Sequence, residues 1–416
     1  MADVASLYGI QAATFLVPLV TLPYLTRVLG PDGWGRLAFA DSLGRSIAVL
    51  VEFGFQLSAT RAISEVRGSA EERALRVSGI LGGQALLALA VTVLMALVML
   101  ASGAARGRGA ILWVALAQGC ALAFSPIWYF QAMERARVMA SLDIIAKALS
   151  ALAILTLVHH PGDEMKALAA VACAAALSAA SGILLIRRET PFGRPTWRGG
   201  VAMLREALAL FVFRGAVNLY TGANALLLGL FVPPTVVGYF AGAEKLARAA
   251  LAALTPLNQT AFPRIAHLAR NNPAQAGRVA RLSLRVMLGV GVTTAIALWM
   301  GADWIVRTVL GRGFEPAAGI LRILALLVPL VAASNVLGIQ WMVPLRMERA
   351  FISIIVCAGL TNVVLALTLV RPWGAPGMAF SVLASELVVT TGSWSYLYWR
   401  GRTPWSLNPE IGSTCA

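Results

Sequence analysis

The chain has 416 residues, 59% of them hydrophobic and only 13% charged, with a formal net charge of +15 and a mean hydropathy of +0.77. A soluble domain of this length would need far more polar surface, so the composition excludes one. It equally disfavours a transmembrane barrel, since no strands of alternating polarity occur.

Apolar stretches long enough to cross roughly 30 Å of hydrocarbon as helices recur from end to end. Hydropathy predicts about twelve spans: 6–28, 34–60, 77–102, 110–132, 138–158, 166–186, 207–231, 237–260, 283–305, 318–343, 350–370 and 375–399. The fold class expected is an all-α polytopic membrane protein. The opening "MADVASLYGI" lacks a positive n-region, so the first span is expected to be retained. With the N-terminus in the cytoplasm, the inside loops hold roughly 20 Lys and Arg and the outside ends 8. That asymmetry places both termini in the cytoplasm and accounts for most of the positive charge without nucleic acid. Pro18, Pro23, Pro126 and Pro329 fall inside spans and are expected to kink them.

Two stretches half a chain apart share a pattern. "GRLAFADSLGR" (35–45) and "GYFAGAEKLAR" (238–248) both fit G-x-x-A-x-A-[DE]-x-L-x-R. The same register pairs Pro31 with Pro234, Gln56 with Gln259 and Arg61 with Arg264, and "MERA" occurs at 133–136 and again at 347–350. These matches point to a duplication. Six spans per half put both copies in the membrane with the same orientation, a parallel repeat. The expected organisation is an N-terminal six-helix lobe (1–187), a basic cytoplasmic linker (188–205), a C-terminal six-helix lobe (206–402) and a short tail (403–416), the lobes flanking a central cavity.

At about 100° per residue, Arg45, Glu52 and Gln56 lie about 40°, 20° and 60° from Asp41, on one face of the second span. In the eighth span Arg248, Thr255 and Asn258 cluster similarly around Glu244. Gln11, Asp143, Lys147, Arg214, Asn218, Asn224, Lys245, Arg322, Asn335, Asn362 and Glu386 are further polar residues within spans. An ionised group at the bilayer centre costs about 3 kcal/mol, so such stripes should face a partner or a wet space. Asp41–Arg45, Asp143–Lys147 and Glu244–Arg248 are each acid-then-base at i, i+4, which also suits simple intrahelical ion pairs. Arg214, Arg322 and Glu386 have no evident partner within their own spans.

The three histidines, His159, His160 and His267, form no metal or hydrolase motif, and the cysteines Cys120, Cys173, Cys357 and Cys415 show no paired spacing. No metal site and no cofactor are expected.

"RVLGPDGWGRLAFADS", "EFGFQLSATRAISEVR", "VGYFAGAEKLARAALAALTPLNQTAFPRIAHL" and "WGAPGMAFSVLASELVV" resemble bacterial polysaccharide transporters, specifically the O-antigen flippases of the multidrug/oligosaccharidyl-lipid/polysaccharide exporter superfamily. The resemblance runs from about residue 6 to 400. It implies an inner-membrane protein that flips an undecaprenyl-diphosphate-linked oligosaccharide by alternating access. Membrane lipids, a polysaccharide polymerase and a chain-length regulator are the other partners expected. It also implies a cationic lumen and H+ or Na+ antiport. On this reading Arg45, Arg214, Arg248, Arg322 and Asn218 are the candidate substrate contacts. Asp41, Glu52, Glu244 and Glu386 are the candidate ion-coupling sites. The chain departs from related sequences at Ala62, where an acid often follows the Arg of "SATR", so no role for that acid carries over. Two other readings remain open: an ion-coupled multidrug or small-molecule exporter, and a polysaccharide polymerase or membrane acyltransferase.

Overall fold

The computed structural model describes residues 2–102, 109–193 and 197–406, with the side chains of 2–19, 102, 197–198, 209, 212–213, 216 and 219–220 excepted. Gln11, Pro18, Arg106, Arg108, Arg194, Arg198, Cys415 and the tail beyond 406 therefore lie wholly or in their side chains outside the described residues.

The described chain is helical, with no strand. In order it runs α1 (Ala2–Glu52), α2 (Phe55–Glu65), α3 (Ala70–Ser102), α4 (Gly109–Ala123), α5 (Ile127–Ala132), α6 (Ala136–Leu157), α7 (Glu164–Glu189) and α8 (Trp197–Thr221). It continues through α9 (Asn224–Gly229), α10 (Pro234–Leu251), α11 (Thr255–Asn271), α12 (Pro273–Ile305), α13 (Ala317–Ala325), α14 (Leu327–Ser334), α15 (Glu348–Trp373) and α16 (Ala375–Trp399). The predicted spans are mostly helical where described, with breaks inside 34–60, 110–132, 207–231 and 318–343. Among the described residues 8 helices are long and apolar enough to cross a membrane. The segment around α10 fails that test because Glu244, Lys245 and Arg248 sit in its 18 residues. Exposed Leu89, Leu94, Leu97 and Leu100 on α3, and Leu360 and Val364 on α15, give these helices the apolar outer face that lipid requires.

The helices break where the sequence removes a hydrogen bond or permits a left-handed residue. Gly30 (φ 66°) interrupts α1 just before Pro31, and extended Pro233 precedes Pro234 at the start of α10. Pro is favoured at a first helical position because its missing N–H is not needed there. The two breaks are 203 residues apart (234 − 31), the register of the repeated motif. Pro126 stands between α4 and α5, and Pro329 follows the turn at Leu326 between α13 and α14. Pro23, by contrast, lies inside the unbroken first part of α1.

A second pair of joints is alike in conformation. Glu134 (φ 58°) and Arg346 (φ 59°) are both left-handed. The next residues, Arg135 and Met347, donate their N–H groups back five positions, to the Phe130 carbonyl at 2.7 Å and the Met342 carbonyl at 3.0 Å. These equivalent turns are offset by 212 residues (346 − 134), whereas "MERA" recurs at 214 (348 − 134). The repeated tetrapeptide is thus two residues out of register with the repeated backbone.

The chain divides into two compact units, 1–218 and 219–416. The sequence expectation put the boundary near 205, before the seventh span. α8 instead packs on the first unit through small residues. A Cβ at Gly200 would lie 2.7 Å from the Gly83 nitrogen, and one at Gly54 2.9 Å from the Phe211 nitrogen. Such backbone proximity is how membrane helices gain contact without a hydrophobic driving force. The core of the first unit gathers Phe55, Ile63, Ile80, Trp128, Tyr129, Phe130, Met139 and Ile186. The second unit has one cluster around Leu254, Met287 and Val328 and another around Ile265, Trp341 and Leu397.

Between α6 and α7, Asp163 accepts the N–H groups of His159 and His160, both at 3.0 Å, and meets Lys166 at 2.7 Å. The Lys166 hydrogen bond, followed by the His159 N–H, holds its carboxyl well below the usual carboxylate range. A depressed acid stabilises the fold above its unfolded value of about 3.9 and loses that contribution as pH falls through the folded value. The turn should therefore hold from pH 7 down to about 4. Asp163→Ala should speed amide exchange at residues 159 and 160 at neutral pH, and unchanged protection would refute the cap.

Candidate functional site

In the first unit the expected acid–arginine pair forms: Arg45 Nε donates to Asp41 Oδ2 at 2.9 Å. Asp41 is held from the other side as well, because Gln118 of α4 donates from Nε2 to Oδ1 at 2.7 Å. The Arg45 side chain keeps 53% of its accessible surface. An ion pair this exposed is worth about 0–1 kcal/mol, so the pair fixes geometry more than stability.

Two turns further on, the helical projection holds for Glu52, the last residue of α1, and fails for Gln56. Phe53 (φ 50°) and Gly54 (φ 78°) are left-handed and end α1. Both polar residues nevertheless reach the same target on α8. Glu52 Oε2 lies 3.0 Å from Arg214 Nε, and Arg214 donates from NH1 to Gln56 Oε1 at 2.7 Å. Glu52 Oε1 also accepts the Gln56 N–H at 2.8 Å. Arg214, which the sequence left without a partner, is a paired cation. Phe53 stacks on Phe211 beside this group, ring centroids 4.3 Å apart. Asn218, one turn beyond Arg214, donates to Ser46 at 3.4 Å.

The second unit repeats the pair. Arg248 NH2 lies 2.8 Å from Glu244 Oε1 and also donates to the Thr221 carbonyl. Glu244 accepts from Asn224 Nδ2 at 2.9 Å. A cavity of about 70 Å³ opens here, lined by Thr221, Glu244, Arg248, Leu324, Val331 and Glu386 among others. That volume admits a few waters. Glu386, 6% exposed, accepts the Ser334 hydroxyl at 2.5 Å. It has a partner after all, but on α14 rather than on its own helix.

Arg322 stands apart from this cavity. It pairs with Asp303 at 2.5 Å and lies 6.0 Å from the Trp299 ring. Leu324, two residues on and about 200° around the helix, is the α13 residue that lines the cavity. Asp143 likewise departs from its expected pairing: it accepts from Ser178 at 2.5 Å, and Lys147 joins no ion pair among the described residues. Asn258 bonds Gln340 at 2.9 Å, and Gln340 in turn accepts from Ser283 at 2.7 Å. It thereby ties α11 to α12 within the second unit.

Sequence reasoning missed Gln118. It is fully buried, and it is the lone hydrogen-bonding side chain besides Cys120 and the Trp113 indole in "GAILWVALAQGCALA". An amide in an otherwise apolar span is itself a signal, since it has to find a partner there.

The model of the family described as "Polysaccharide biosynthesis protein" matches residues 1–269. The chain belongs to this family. A relative named "Putative O-antigen transporter" from Escherichia coli (strain K12) is 27% identical over 397 residues, covering 94% of each chain. A second of that name, from Shigella dysenteriae, is 25% identical over 93% of this chain and 97% of its own. Among solved structures, the lipid II flippase MurJ in an inward closed conformation matches with a TM-score of 0.73 at 13% identity, over 94% of this chain and 87% of that one. An inward-facing multidrug resistance MATE transporter of the MOP superfamily matches at 0.66 and 12%, over 93% and 98%. At those identities the structures establish the fold: this polysaccharide biosynthesis protein is a multi-pass membrane protein with the MurJ and MATE transporter architecture.

Proposed function

We propose that this family member is a flippase. It carries an undecaprenyl-diphosphate-linked oligosaccharide, an O-antigen or other surface-polysaccharide repeat unit, from the cytoplasmic to the periplasmic leaflet of the bacterial inner membrane by alternating access. The observation that carries the reading is the repeated acid–arginine pair, which leaves a half-exposed guanidinium in each unit within apolar helices. A diphosphate and its sugars cannot cross hydrocarbon while their polar groups lose water unpaired. Guanidinium groups replace that water, because their planar N–H fork matches phosphate oxygens. The polyprenyl chain stays in lipid throughout. No bond is made or broken.

Arg214 supplies the switch. Its Nε and NH1 are occupied by Glu52 and Gln56. An arriving diphosphate competes with Glu52 for the same guanidinium, and a displaced Glu52 is then free to take a proton or sodium ion. Asp41 and Glu244 are further coupling candidates, and Glu386, lining the cavity with Glu244, is a fourth. Antiport follows if ion and substrate exclude each other at these pairs.

The purified chain in proteoliposomes, loaded with a fluorescent polyprenyl-diphosphate sugar, tests the reading. Transbilayer movement is expected to accelerate, and to respond to an imposed H+ or Na+ gradient. A rate no faster than protein-free vesicles would overturn it. If gene deletion cost drug resistance while surface polysaccharide stayed intact, the exporter reading would replace it. The enzyme reading would need the histidine pair. His159 and His160 are exposed and engage Asp163 through their backbone N–H groups. Replacing both by Ala should leave polysaccharide output at the wild-type level, and complete loss would revive the enzyme.

A further inference from the structure

We propose that Gln118 and Asn224 are positioning residues that aim the two repeated arginines, each by pinning the acid to which its arginine is tied. The proposal rests on the flippase reading and deepens it. Both amide side chains are fully buried. Gln118 donates to Asp41 Oδ1 at 2.7 Å while Arg45 takes Oδ2 at 2.9 Å. Asn224 donates to Glu244 Oε1 at 2.9 Å, and Arg248 meets that oxygen at 2.8 Å. A carboxylate held only by an exposed arginine one turn away swings with it. A carboxylate also anchored to a buried amide on another helix gives the guanidinium a fixed hinge. Arg45 donates to Asp41 through Nε, which leaves its terminal N–H groups for a phosphate. Holding them in place beforehand reduces the entropy lost when the ligand binds.

Two observations separate this from ordinary packing. First, the acid and the arginine recur at an offset of 203 residues, but the amides do not. The position 203 after Gln118 holds Leu321, the one 212 after it holds Leu330, and the one 203 before Asn224 holds Thr21. The same hydrogen bond has thus been built in each half from unrelated elements, α4 in one and α9 in the other. Second, α1 and α4 are brought close enough for it by glycine. A Cβ at Gly44 would lie 2.8 Å from Gln118 Oε1, and one at Gly119 would lie 2.5 Å from the Gly44 carbonyl. Gln118 Oε1 has no hydrogen-bond partner among the described residues. The fold gains nothing from that oxygen; the benefit of the side chain lies in its donor end.

The test uses the full-length chain, with a fluorescent polyprenyl-diphosphate sugar for transport and polyprenyl diphosphate for binding. Gln118→Met and Asn224→Leu should each raise KM about fivefold, keep the maximal rate within twofold and leave the melting temperature unchanged. Asn224→Gln, which keeps a donor, should restore most of the lost affinity. In an Arg45→Ala background Gln118→Met should change the Kd less than twofold, because the residue acts only through that arginine. A fivefold effect persisting there, a KM unmoved in both single variants, or a maximal rate falling together with the melting temperature would overturn the proposal. A wild-type chain that moves no probe overturns the flippase reading itself, and this proposal with it.

Discussion

Arg45→Ala combined with Arg248→Ala should abolish surface polysaccharide while leaving the protein inserted in the membrane at its normal level. Each arginine keeps about half its side-chain surface accessible and is tied to an acid one turn earlier, at 2.9 and 2.8 Å. A charge-assisted hydrogen bond contributes about 1.5–3 kcal/mol, so losing one at each site weakens headgroup binding roughly 100- to 10,000-fold. The fold should tolerate the change, because exposed i, i+4 pairs contribute about 0.3–0.5 kcal/mol. Asp41 retains Gln118 and Glu244 retains Asn224 as donors, so neither acid is stripped of hydrogen bonds. Polymer is read on the cell surface and insertion by membrane fractionation. Wild-type polymer from the double variant would remove both residues from the substrate path. Loss of the protein from the membrane would instead assign them to folding.

The parts of this site that were legible in the sequence are the local ones. Asp41–Arg45 and Glu244–Arg248 span a single helical turn, and residues four apart on one helix are neighbours that can pair without help from the rest of the chain. The helical spans were legible for the same reason, since hydrocarbon imposes length and apolarity on each separately. What failed depended on distant contacts or on a backbone that stops being helical. The angular argument held as far as Glu52, the last residue of α1, and failed for Gln56, because Phe53 and Gly54 between them are left-handed. The two residues converge all the same, because Arg214, 158 positions from Gln56, draws them together. Asp143 illustrates the limit of the i, i+4 rule: Ser178 on α7 supplies its hydrogen bond in place of the expected Lys147. "MERA" looked like a repeat and lies near one, yet the backbone repeats two residues away from it.

Arg214→Ala should lower the melting temperature by several degrees and abolish export, and adding Glu52→Ala should recover the stability without the export. The Glu52 carboxylate keeps 14% of its side-chain surface and Arg214 keeps 34%, so the pair is partly withdrawn from solvent. Removing one member of a buried pair costs about 3–5 kcal/mol, because the other charge is left without compensation. The exposure of Arg214 and the Gln56 N–H that Glu52 still accepts reduce this to about 1–3 kcal/mol here. With the carboxylate also gone there is no stranded charge, and the double variant should melt near the wild type, a coupling of the size contacting residues show. Export does not return, because nothing replaces the guanidinium that the diphosphate must capture. Glu52→Gln acts in the opposite sense on binding: it removes the internal competitor, so polyprenyl diphosphate should bind more tightly while turnover falls for want of a group to displace it. Thermal melting in detergent reads the first effect, equilibrium binding and proteoliposome transport the second. If Glu52→Gln weakened binding, the carboxylate would be a scaffold for Arg214 rather than its rival, and exchange at this pair could not drive the cycle.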